Sequence, residues 1–322
     1  MTEPLRVGLV GCGRLAERGY LAAFRATRAV RLVAVADPDP ARRARVAESA
    51  AVGSGVPAGY ATADELLDGT AVDAVVLATP AAAHVADAVR AAGAGVAVLV
   101  EKPPAPDAAT AARLARLRPA PWVGFNRRFD PGVRRVRAGL PTVTELDLRL
   151  AIRYRRRSWG AHAVRDDALL DLAPHLVDLA RWLGGGDALD VRTAELSAER
   201  AAFEVAMARG RATVRVATDR AHAELVEVRD RAGRLLARHR TGGLLAAVPA
   251  RLRPGRPHPL VGSLSAQLDA FARAVNTGDA RDLGTAADGA AAMATIDAAR
   301  ASAARGGIPT PVPHVVGSRR CS

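Results

Sequence analysis

The chain has 322 residues, 49% of them hydrophobic, and a formal net charge of +13. That length and apolar content exclude a disordered chain and fit two domains, each with its own core. No run approaches the roughly 18 uncharged apolar residues of a membrane span, and the first residues lack a signal-peptide pattern, so a cytoplasmic protein without membrane contact is expected. Cys12 and Cys321 stand at opposite ends, too sparse for a disulfide framework or a zinc site, and no metal is expected. The 45 arginines are spread along the chain without a helix-turn-helix, zinc-finger or aromatic-basic pattern, which argues against a nucleic-acid partner.

Leu5 to Val10 is a short apolar run that reads as a strand and meets Gly11-Cys12-Gly13-Arg14-Leu15-Ala16, after which Leu15, Leu21, Ala22 and Phe24 predict a helix. This is the G-x-G-x-x-A form of the dinucleotide turn. Gly11 permits the tight bend, Gly13 lets backbone approach a pyrophosphate, Ala16 allows close helix-strand packing, and Cys12 is a small filler. A second strand, Leu32 to Ala36, ends at Asp37, where an acid would bond ribose hydroxyls. A carboxylate there repels a 2′-phosphate and favours NAD, although Arg42 and Arg43, in a helix predicted over 41–50, leave NADP open. The alternation continues with a helix over 60–67 capped by Thr62, a strand over 72–78 ending at Thr79-Pro80, a helix over 81–92, a strand over 96–100 and a helix over 107–117. The result is an α/β fold with a doubly wound parallel sheet, whose ligands sit at the carboxyl ends of the strands. Gly11, Asp37, Thr79 and Lys102 all fall at such ends.

Past Trp122-Val123-Gly124 the strand-like stretches lengthen, so domains are placed at 1–124 and 125–322. Residues 146–157 alternate, with Leu148, Leu150, Ile152 and Tyr154 on one face and Arg149, Arg153, Arg155 and Arg157 on the other. Leu170 to Leu179 reads as a helix with Pro174 in its first turn, bringing Asp171, His175 and Asp178 onto one face. A carboxylate four residues from an imidazole can orient its tautomer and raise its basicity. Strands over 191–196, 201–208, 212–218, 223–229 and 235–239 predict a meander broad enough to be an interface, from which a homo-oligomer is inferred. A loop over 241–259, in which His258 is structural or solvated, precedes helices over 265–276 and 285–305 and a disordered tail from Gly317.

Lys102 is the chain's one lysine. A solvated surface charge tolerates exchange to arginine, whereas a site that needs a compact ammonium able to trade a proton does not. The combination of Gly8-Leu9-Val10-Gly11-Cys12-Gly13, Ala78-Thr79-Pro80 with His84, Glu101-Lys102-Pro103, and Gly124-Phe125-Asn126-Arg127-Arg128-Phe129 resembles the Gfo/Idh/MocA oxidoreductase family, which includes glucose-fructose oxidoreductase and inositol dehydrogenase. The resemblance implies an N-terminal Rossmann domain and a C-terminal α+β domain with a large open, mostly antiparallel sheet that packs on other subunits as a homodimer or homotetramer. It also implies catalysis by Lys102, Asp171 and His175, with the nicotinamide in a cleft between the domains. Gly11, Cys12, Gly13, Arg14, Leu15, Asp37, Thr79, Pro80, His84, Glu101 and Lys102 would hold the cofactor, and Asn126, Arg127, Tyr154, Arg165 and Asp166 the substrate, a sugar, amino sugar or cyclitol. One departure is the charged Arg165-Asp166-Asp167, where family members carry a glycine-rich turn. The expected reaction is hydride transfer between a secondary alcohol and a ketone; a redox-neutral sugar-modifying enzyme and a dinucleotide-sensing regulator are the alternatives.

Overall fold

The computed structural model describes residues 3–51, 55–141, 145–156, 166–242 and 259–314. Arg157, Arg165, His258, Cys321 and the tail from Gly317 lie outside the described residues, as does most of the 241–259 loop. The chain separates into two compact units, Met1–Asp130 with Pro257–Ala287, and Pro131–Arg256 with Asp288–Ser322. The single crossing expected at residue 124 is therefore replaced by a chain that leaves the first unit six residues later and returns to it. The reason is a late helix whose apolar face belongs to the first core.

In the first unit, β1 (Leu5–Val10), β2 (Val30–Ala36), β3 (Ala58–Tyr60), β4 (Ala74–Leu77), β5 (Ala97–Glu101) and β6 (Trp122–Gly124) pair in parallel. The short β13 (Gly284–Thr285) adds antiparallel to β6, giving the order β13-β6-β5-β4-β1-β2-β3. All four residues of β4 are buried, as expected of a parallel strand covered on both faces.

The crossovers are α1 (Leu21–Ala26), α2 (Pro40–Ala50), α3 (Ala63–Gly69), α4 (Ala81–Gly93) and α5 (Ala108–Leu114). Their starts are written in the sequence. Asp39 accepts from the amides of Ala41 and Arg42 ahead of α2, with Pro40 in the first turn. Thr62 accepts from Glu65 N at the start of α3, while Glu65 Oε2 reaches back to Ala61 N at 2.9 Å. Asp107 accepts from Thr110 N ahead of α5. Tyr60, expected in a helix, instead ends β3, and α5 stops at Leu114 rather than 117. The returning α8 (Pro259–Thr277) inserts Leu264, Leu268 and Phe271 into a core with Val7, Tyr20 and Phe24, and Phe271 meets Trp122 edge-on at 5.6 Å.

The second unit holds α6 (Pro131–Ala138), β7 (Leu146–Arg155), α7 (Ala168–Ala180), β8 (Ala188–Leu196), β9 (Arg200–Met207), β10 (Gly210–Ala217), β11 (Asp219–Asp230), β12 (Leu235–Gly242), α9 (Ala286–Ala304) and β14 (Thr310–Pro311). The sheet order is β12-β11-β7-β10-β9-β8-β14. The expected meander holds for β8, β9 and β10, but β7 is inserted between β10 and β11 and runs parallel to β10. Alternation in β7 buries Leu146, Leu148, Leu150 and Ile152 while Arg149 and Arg155 are exposed. Pro174 lies well inside α7 rather than in its first turn. It removes one amide donor, so the carbonyl of Leu170 lacks its usual helical partner.

Candidate active site

The glycine turn follows β1 directly. Gly11 sits at φ +98°, and a Cβ there would lie 2.7 Å from the backbone of Ala78, so both its conformation and its space require glycine. A Cβ on Gly13 would meet nothing within 4 Å, leaving room for a ligand against that backbone. Arg14 and Leu15 begin the helical segment that passes through a π-helical turn, Ala16–Tyr20, into α1, and Leu15 packs on the first core. Cys12 is buried, and burial together with the Asp37 carboxylate pushes its thiol up to about 12, making it an inert filler.

Asp37 is 7% exposed. Its Oδ2 accepts from Cys12 N at 2.8 Å and its Oδ1 from Asp39 N at 2.9 Å, so it braces the turn it was expected to serve. Each oxygen retains a lone pair for a ribose hydroxyl. Of the two arginines that left NADP open, Arg42 pairs with Asp39 at 3.1 Å and Arg43 donates to the Asp37 carbonyl at 2.6 Å. The helical cap adjoining Asp37 is supplied by Asp39. Gly11, the open backbone at Gly13 and the buried carboxylate together fit a dinucleotide.

Thr79 Oγ1 donates to Asp87 at 3.3 Å, and Pro80 leads into α4. His84 is 1% exposed, and its Nδ1–H donates to the Pro103 carbonyl at 3.2 Å. Burial pushes its imidazole down to about 4, so the ring is a neutral pin under the Glu-Lys-Pro loop rather than a surface against a ligand. Glu101 is buried, accepting from Tyr20 Oη on Oε1 at 2.5 Å and from Lys102 N on Oε2 at 3.0 Å. Burial raises its carboxyl above the usual range. Lys102 follows at the carboxyl end of β5, partly exposed. Asn126 is buried in a 3₁₀ turn and donates to Ser263 on α8 at 3.3 Å, a packing role distinct from the substrate contact expected of it. Arg127 in the same turn is partly exposed, whereas Arg128 is buried with its guanidinium on the Leu283 carbonyl.

In the second unit, α7 carries His175, 6% exposed, and Asp178, fully buried. Asp171 Oδ2 accepts from Tyr154 Oη at 2.5 Å and from Arg156 Nη2 at 2.9 Å. Burial and the neighbouring carboxylate push the Tyr154 phenol up to about 12, so it is a donor. Arg156 also donates to the Asp166 carbonyl at 2.7 Å. Asp167, part of the charged departure, caps α7 through Leu170 N at 2.7 Å and pairs with Arg300. That acid is structural.

Residues 5–119 match the family described as "Oxidoreductase family, NAD-binding Rossmann fold", the Gfo/Idh/MocA model. Over that stretch the chain is similar to the Gfo/Idh/MocA oxidoreductases. It is 32% identical over 198 residues to an inositol 2-dehydrogenase of Corynebacterium glutamicum, covering 59% of this chain and 57% of that protein. The chain thus matches little more than half the length of this curated relative. Among solved structures, GenD2 from gentamicin A biosynthesis, in complex with NAD, is 26% identical with a TM-score of 0.79 over 98% of both chains. The scyllo-inositol dehydrogenase of Lactobacillus casei, with NAD(H) and scyllo-inositol bound, shares the fold at 17% identity and a TM-score of 0.77, covering 96% of this chain and 99% of its own.

Sequence reading missed two supporting side chains, one in each unit. Arg156 keeps the even-numbered register of Leu148, Leu150, Ile152 and Tyr154, so it continues the inner face of β7, and that parity was the available signal. Tyr20 carried no signal, because its partner Glu101 is 81 residues away. Among the described residues, no group of three or more His, Cys, Asp and Glu side chains could hold a metal ion, and no helix is long and apolar enough to cross a membrane.

Proposed function

We propose that this chain is an NAD-dependent dehydrogenase that interconverts a secondary alcohol and a ketone on a sugar, amino sugar or cyclitol. The observation that carries the reading is the gathering of the glycine turn, the buried Asp37 and the sole lysine at the carboxyl edge of one parallel sheet. Inositol dehydrogenases among its relatives support the substrate class. Asp37 supports NAD over NADP, since a buried carboxylate disfavours a phosphate and the guanidiniums of Arg42 and Arg43 are drawn to Asp39 and the Asp37 carbonyl.

When bound, NAD supplies the hydride acceptor. The chain's own groups handle the proton and the oxygen. His175 takes the hydroxyl proton on a ring nitrogen, work that typically contributes about 10²- to 10⁴-fold. Lys102 donates a hydrogen bond to the substrate oxygen as its charge changes, a task that guanidinium performs poorly. Asp171, held by Tyr154 and Arg156, is an anion in fixed orientation one helical turn before His175. The sheet of the second unit, whose outer face mixes arginines with Ala151, Ala202 and Leu225, supports self-association through that face.

The test is steady-state oxidation of a panel of inositols and sugars, followed by the absorbance of reduced nicotinamide. Lys102→Arg and His175→Ala should leave the NAD Kd within about threefold while lowering kcat by about 10²-fold or more. Near-normal turnover in either variant refutes these roles. Turnover without net reduction of NAD would instead point to a redox-neutral relative.

A further inference from the structure

The helical segment that starts at the glycine turn carries Tyr20 in its π-helical turn, and Tyr20 is fully buried. Its hydroxyl donates to one oxygen of Glu101, whose other oxygen accepts the backbone amide of Lys102. One buried carboxylate therefore ties the dinucleotide turn's own helix to the peptide unit that carries the lysine. The surroundings leave it little play. A Cβ on Gly124 would lie 2.9 Å from Glu101 Oε1, the fully buried Gln267 lies beside the phenol, and Phe24 stacks obliquely on the Tyr20 ring at 6.1 Å.

Burying a carboxylate is costly unless its hydrogen bonds are made, and an apolar side chain would pack this space with less penalty. The pair is therefore better explained by the geometry it fixes than by stability. We propose that Tyr20 is a positioning residue. By fixing Glu101 it sets the backbone of Lys102 relative to the glycine turn, so that the cofactor seat and the lysine ammonium are held as one rigid piece. The proposal deepens the functional reading above and rests on it for the role given to Lys102.

Tyr20→Phe removes one oxygen and keeps the ring packing. With myo-inositol as the probe, kcat is expected to fall about 10- to 100-fold while the NAD Kd and the KM stay within about threefold, because a small misplacement of a reacting group costs turnover rather than binding. The loss should not add to that of Glu101→Gln, the double variant turning over within about twofold of Glu101→Gln alone.

A second measurement is independent of substrate. Reductive methylation with ¹³C-formaldehyde labels only Lys102 and the N-terminal amine, since the chain has no other lysine. Tyr20→Phe and Glu101→Gln should each displace the Lys102 methyl signal by more than its linewidth. Phe24→Leu, which disturbs packing on the same helix, should not. An unmoved signal in folded Tyr20→Phe and Glu101→Gln overturns the proposal, as does equal displacement by Phe24→Leu. Should the wild type oxidise none of the panel, the functional reading fails while the labelling result still decides whether Tyr20 positions the lysine.

Discussion

Replacing Asp37 by alanine removes two hydrogen bonds of unequal worth. The amide of Asp39, 2.9 Å from Oδ1, lies in a partly exposed turn and can turn to water. The amide of Cys12, 2.8 Å from Oδ2, belongs to a residue with no exposure and is left buried without that acceptor. Bonds to a charged group are worth about 1.5–3 kcal/mol, and a stranded buried donor costs about 1–3 kcal/mol. The Cys12 amide therefore dominates, and Asp37→Ala is expected to destabilise the first unit by about 2 kcal/mol. For a unit of this size that is about 4–8 °C in its unfolding midpoint. Asp37→Asn keeps one carbonyl acceptor and should lose about half as much. Thermal unfolding of the NAD-free protein by circular dichroism measures this, and a parallel titration with NAD should show both variants weakened. A midpoint within about 1 °C of wild type for Asp37→Ala, with NAD affinity lost, would show that the carboxylate serves only the ligand and does not brace the turn.

Acid should weaken the fold partly through His84. Its pKa falls from an ordinary value of about 6.5 in the unfolded chain to about 4 in the folded one, so the unfolded state binds the extra proton. This contribution is fully present above about pH 6.5 and is lost as pH falls towards 4, by about 3 kcal/mol over the window. His84→Asn, which can still donate to the Pro103 carbonyl, should flatten that part of the pH dependence of the unfolding midpoint; an unchanged slope would refute it. On the outer face of the second sheet, Ala151 lies between Leu225 and Arg215 in register. Ala151→Glu is expected to abolish the self-association proposed for this face, read by sedimentation, while leaving circular dichroism unchanged, and a monomeric wild type would refute that proposal.

Most of the first sheet was legible because its signals are local. The glycine turn, the apolar runs of β1 and β4, and the caps Thr62 and Asp107 each act within a few residues. What was not legible depends on partners distant in sequence. Nothing within 259–277 says that Leu268 and Phe271 pack with Val7 and Tyr20, since an apolar helical face records that it is buried but not against what. The insertion of β7 between β10 and β11 is equally silent, because alternation fixes which face is inward and leaves the neighbour open. At the site, the glycine turn and Lys102 stood out by residue type, whereas Asn126 and His84, singled out as ligand contacts, are drawn into the interior by Ser263 and the Pro103 carbonyl. Asp167 stood out only as part of a charged departure from a glycine-rich turn, but a helix start three residues ahead of Leu170 claims an acid first.

The return of residues 257–287 to the first unit bears on how the molecule is made. During synthesis the whole of 131–256 leaves the ribosome before α8 can supply Leu264, Leu268 and Phe271. Until then Trp122, Phe24 and their neighbours lack the helix that covers them. A nascent chain halted before residue 257 would offer a sticky apolar patch to chaperones and proteases, even though every strand of the glycine-turn half except β13 has already been translated.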